Sequence, residues 1–193
     1  MTQTINANQL SGRAIGALMF TGFGAAWLFL SLYVREQLSV TSICGLVLIA
    51  AGLVLAAIHV LGLAKRMPRE PEDPRIMKVF HWVNAMQWVV CFVLAAILGR
   101  LHHDAYIVPA IACVVGLHLF PLAKLFRYRM HYVTGAAMVL WSVGVMIVVP
   151  VDHVQGATAL GAGIILWSSA AATLALAVDT ARRATTQVRA EAA

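Results

Sequence analysis

The chain has 193 residues, 61% of them apolar and 11% charged, with a formal charge of +6 at neutral pH. Soluble domains carry about 25% charged residues, so this composition excludes an ordinary water-exposed globule and makes lipid the expected solvent. The basic excess does not mark a nucleic-acid protein either, because Lys and Arg fall in short breaks between apolar runs, where they act as topology signals.

Residues 1–10 are polar and uncharged, which predicts a frayed end. The first apolar run, Ala14 to Val34, is longer than the ~7–15 residues of a signal-peptide core and has no basic leader. It therefore reads as a retained transmembrane helix. Gly12, Gly16 and Gly24 stand at four-residue multiples, a stripe that lets another backbone approach closely. A dinucleotide loop is excluded because no strand precedes these glycines.

The second run, Ile43 to Ala64, stops at Lys65-Arg66. Pro68, Pro71 and Pro74 then punctuate a charged linker ending at Arg75, which predicts a solvated loop. The third run extends from near Val79 to Gly99 and is followed by Arg100-Leu101-His102-His103-Asp104. The fourth, Ala105 to Ala123, has Pro109 in its first turn, where a missing N–H is harmless, and Pro121 in its last, just after His118. The fifth covers Tyr132 to Val149 and the sixth Ala157 to Val178, the latter rich in Ala, Gly and Ser, with a basic tail beyond it. Runs of about 20 residues each cross a ~30 Å hydrocarbon core, so the expected fold is all-α, one domain of six transmembrane helices.

Orientation follows from charge. Arg13, Lys65, Arg66, Arg69, Arg75, Lys78, Lys124, Arg127, Arg129, Arg182, Arg183 and Arg189 fall on one side, against Arg35 and Arg100 on the other. This bias predicts that both termini are cytoplasmic, in a plasma membrane or the inner membrane of a Gram-negative cell.

Topology turns positions into depths. His59 lies six residues before Lys65, Asn84 six after Lys78, and His118 six before Lys124. At ~1.5 Å per residue each sits about 9 Å inside the cytoplasmic boundary. Gln87 is one turn deeper, and His81, Asn84 and Gln87 recur every third residue on one helix. Hydrocarbon offers no hydrogen-bond partner, so these groups are expected to face inward. They define an expected cytoplasm-side pocket of His59, His81, Asn84, Gln87, His118 and Thr134 among helices two to five, with His81 and His131 at its rim. Such a pocket would bind or move a small solute or a proton. The rival from another class is a structural or assembly subunit whose polar residues only fix helix packing.

A haem or metal site is a further alternative. His59 and His118 have matching depth and could ligate haem iron, although no Cys-x-x-Cys-His motif is present. At the external helix ends, His102, His103, Asp104, Asp152 and His153 offer the ligand types that suit zinc. Cys44, Cys91 and Cys113 fit no disulfide or zinc spacing and read as small apolar fillers. No Gly-x-Ser-x-Gly, His-Glu-x-x-His or acidic catalytic pair occurs, which argues against an enzyme. The Gly-rich first and sixth helices would serve packing within one protomer or contact in a homo-oligomer.

The run Gly116-Leu117-His118-Leu119-Phe120-Pro121-Leu122-Ala123-Lys124-Leu125-Phe126 through His131-Tyr132-Val133-Thr134-Gly135, preceded by Asn84-Ala85-Met86-Gln87-Trp88, resembles an uncharacterised group of bacterial multi-pass membrane proteins. The resemblance spans the third to fifth helices and implies no particular activity. It marks His118 and Pro121 as a signature of that group.

Overall fold

A computed structural model describes residues 7–67 and 74–191, with side chains described as far as Arg183. Its helices are α1 (Ala7–Val34), α2 (Val40–Ala64), α3 (Pro74–Arg100), α4 (Ile107–Leu125), α5 (Met130–Val148) and α6 (Val154–Glu191). All six are long and apolar enough to cross a membrane, and no strand occurs among the described residues. The protein is thus an all-α, multi-pass membrane protein, and an even number of crossings puts both ends on the same side.

Several boundaries differ from the expectation. Helix α1 is described from Ala7, and both Ala7 and Leu10 are buried, so packing holds this part of the stretch expected to fray, while residues 1–6 lie outside the described residues. Pro74 opens α3, the position where proline's fixed φ and missing N–H suit a helix start. Pro68 and Pro71 lie outside the described residues. Helix α6 runs on to Glu191, well past the apolar stretch, with an Arg183–Asp179 ion pair of 2.9 Å on its exposed part. Ser39 caps α2 through a reciprocal box with Ser42, which fixes its start at Val40.

Three turns share one device. Glu36, His102 and Arg127 have φ of 56°, 56° and 49°. Each follows a helix end whose next N–H reaches back to a carbonyl five residues earlier: Gln37 to Leu32 at 2.9 Å, His103 to Leu98 at 2.9 Å and Tyr128 to Ala123 at 3.0 Å. These are Schellman terminations built without glycine at the left-handed position.

Helix α6 is the axis of the bundle. It packs along α1 and also meets α2, α4 and α5, while α4 and α5 pair with each other. Within its apolar window 56% of α6 is buried, against 11% for α2 and 6% for α3. The two inner crossings are made at glycine. A Cβ on Gly163 would come within 2.5 Å of Leu28 Cγ and 3.0 Å of the Gly24 carbonyl. A Cβ on Gly135 would lie 2.6 Å from the Gly116 carbonyl, so α4 and α5 touch backbone to backbone. The glycine stripe of α1 is therefore divided: Gly24 is used against α6 within the chain, whereas Gly12 and Gly16 have nothing within 4 Å.

Candidate functional site: the groove between α3 and α4

Helix α3 makes its extended contact with α4. Phe80, Asn84, Gln87, Cys91, Leu94 and Leu98, spaced alternately four and three, form its buried or half-buried seam, while His81, Ala85, Trp88 and Phe92 are exposed. The spacing is that of a supercoiled helix pair. Asn84 and Gln87 thus lie half-buried on the seam. His81 does not: at three residues per step the arc drifts off the seam, and its ring packs beside Phe80 with centroids 5.7 Å apart.

A groove of about 470 Å³ opens along this seam, lined by Trp82, Val83, Met86, Gln87 and Val90 of α3 and by Val114, Leu117, His118 and Pro121 of α4. It is an open groove rather than an enclosed cavity, and its surface is almost wholly apolar. Its edge residues Trp82, Met86 and Leu117 are 75%, 57% and 55% exposed, within helices apolar enough to cross a membrane. Every wall is uncharged.

The hydrogen-bonding groups of the groove are few. His118 is half-buried, with the backbone of Val83 beside it across the helix pair. Gln87 supplies an amide from α3. Pro121, inside α4, has no N–H to return to the carbonyl of Leu117 four residues earlier, so that carbonyl lacks its helical donor beside the groove.

Behind His118, toward the basic end, stands a second polar cluster. There His131 stands in the first turn of α5. Its ring meets Phe20 edge-on at 5.5 Å and Tyr128 edge-on at 5.2 Å, and its Nδ1 is buried without a hydrogen-bond partner. The Arg13 guanidinium lies 5.2 Å over the Tyr128 ring, and the Tyr128 hydroxyl donates to Thr173 Oγ1 at 3.0 Å. Thr134 is bonded to Ser169 Oγ at 2.8 Å and reaches the Met130 carbonyl at 2.9 Å. The hydroxyl of Thr134 is therefore committed to the α5–α6 contact and does not line the groove. The positive φ of Arg127 is what swings Tyr128 into this cluster from the α4–α5 turn.

The expected pocket among helices two to five is accordingly corrected. Gln87 and His118 come together, and Asn84 shares their face outside the groove lining. His59 is exposed on α2, which packs on α1 and α6 rather than on α3. His59 and His118 therefore do not form an axial pair, and the haem arrangement expected from their matching depth is not assembled. Equal depth fixes height along the membrane normal but not the rotation of a helix that is apolar on every side.

At the opposite end, His102 is exposed at its Schellman position, His103 stacks edge-on against Tyr106 at 6.3 Å, and the Asp104 backbone carbonyl accepts from Gln155 Nε2 at 2.9 Å. Asp152 and His153 are exposed in the turn that precedes α6. Among the described residues no group of three or more His, Cys, Asp or Glu is placed to hold a metal ion, so these five side chains do not converge. Cys44, Cys91 and Cys113 are all free.

Fold and composition together define a multi-pass α-helical membrane protein with a lateral groove. In comparisons with protein-family models, curated proteins and solved structures, none matches the chain.

Proposed function

We infer that the protein binds a small molecule in the α3–α4 groove, with His118 and Gln87 as the recognition pair. The observation that carries this reading is the contrast between two kinds of intramembrane polar group. Thr134, Ser142, Ser31, Thr21 and Trp167 all reach protein acceptors, as residues that only fix packing do. The groove instead carries Gln87 and His118 among its lining residues. Polar groups placed at membrane depth along an open groove favour a binding role.

The test is native mass spectrometry of the protein released from nanodiscs, with wild type set beside His118→Leu and Gln87→Leu. The expected result is a co-purifying small molecule that both substitutions deplete and that His59→Leu, on the exposed face of α2, retains. Identical ligand occupancy in all four proteins, or none in any, contradicts it.

A further inference from the structure

A second groove, separate from the one between α3 and α4, lies between α2 and α6. These helices touch and run in the same direction, because successive crossings alternate. The groove holds about 480 Å³ and is lined by Leu53 and Ala56 of α2 and by Ala171, Leu174, Ala175 and Val178 of α6. Ala56, Ala171 and Ala175 are exposed, and their short side chains leave a trough open to the side.

Its length matches one leaflet. Leu53 lies twelve residues before Lys65, and Ala171 eleven before Arg182. At ~1.5 Å per residue each wall reaches about 17 Å inward from the basic end, close to half of a ~30 Å hydrocarbon core. An apolar trough of that depth suits an extended acyl chain.

Charge then narrows the head group. Asp179 and Arg182 close the groove at its basic end. Ala64 and Ala181 belong to one core cluster, and each is followed at once by two exposed basic residues, Lys65-Arg66 and Arg182-Arg183. Asp179 pairs with Arg183 at 2.9 Å. Among the described residues of these two helix ends, four cations therefore stand against one carboxylate. The net positive charge attracts a phosphodiester, whereas a head group that brings its own ammonium gains less.

We propose that the α2–α6 groove holds an anionic phospholipid, with one acyl chain along Leu53, Ala56, Leu174 and Val178 and the phosphate at the end marked by Lys65 and Arg182.

The experiment places the protein in nanodiscs of equal parts phosphatidylglycerol and phosphatidylcholine and reads the lipid retained on release by native mass spectrometry. The expected result is retention of phosphatidylglycerol over phosphatidylcholine by about fivefold or more, corresponding to ~1 kcal/mol. Lys65→Gln with Arg182→Gln is expected to return the ratio to that of the bilayer. Ala56→Leu with Ala175→Leu fills the trough at exposed positions and keeps every charge, and is expected to do the same. Arg100→Gln, at the opposite end of the bundle, should leave the preference unchanged. A wild-type ratio equal to that of the bilayer means annular lipid only and overturns the proposal. A preference that survives the paired Leu substitutions reports attraction to a basic surface without a groove, and overturns it too. So does one that survives the loss of Lys65 and Arg182. Should the charge variant fail to fold, the paired Leu substitutions decide alone.

Discussion

Helices α6 and α3 have similar apolar sequences but opposite lives in the bundle. Helix α6 is held at a glycine crossing with α1, and its grip is doubled by two side-chain-to-backbone bonds, Trp167 Nε1 to the Thr21 carbonyl at 3.0 Å and Ser31 Oγ to the Gly156 carbonyl at 2.9 Å. Helix α3 leans on α4 along one seam and leaves a groove where the seam widens. In lipid there is no hydrophobic force to press helices together, so close packing and internal hydrogen bonds decide which helices are fixed. The difference teaches that the fold resides in α1, α4, α5 and α6, while α3 is free to serve as one wall of a site.

The largest effect expected from this contrast is at the inner crossing. Gly163→Val would drive a side chain into Leu28 and the Gly24 backbone, at a cost of about 3 kcal/mol by overpacking. Ala85→Val on the exposed face of α3 should shift stability by less than about 0.5 kcal/mol. Reversible unfolding in mixed micelles measures both; equal losses would mean that α3 is clamped as firmly as α6.

A smaller effect separates packing bonds from groove groups. Ser31→Ala removes a buried bond to α6 and should cost about 1 kcal/mol. Gln87→Leu should cost less than about 0.5 kcal/mol while depleting the ligand, since its amide is assigned to recognition. A destabilisation by Gln87→Leu as large as that by Ser31→Ala would favour a purely structural α3.

Much of this architecture is legible in the sequence, and what is not has physical reasons. Six apolar runs and the basic bias suffice for the spans, because hydropathy reports transfer from water and depends little on neighbours. The half-buried position of Asn84 and Gln87 accords with lipid's lack of hydrogen-bond partners. His59 breaks that rule, since α2 is apolar on all sides and one imidazole cannot set its rotation against the packing of Ala57, Val60 and Ala64. Tyr128 was missed because it lies in a basic turn, and only the left-handed Arg127 reveals where it points. The three non-glycine helix ends are likewise invisible in sequence. They carry the smallest prediction: Arg127→Gly or His102→Gly should stabilise by about 0.5–1 kcal/mol, as relief of a left-handed conformation outweighs glycine's extra unfolded-state entropy. A loss of stability would mean that the native side chain contributes more than its backbone costs.

The central claim is that the wall carrying His118 faces the bilayer through a lateral opening and is not sealed within a central pocket. Spin labels placed by Met86→Cys and Leu117→Cys, with the three native cysteines replaced by Ala, would be probed in liposomes with oxygen and with a water-soluble nickel chelate. Strong relaxation by oxygen and little by nickel at both positions is the predicted result. Strong relaxation by nickel, or protection from both agents, would contradict the account.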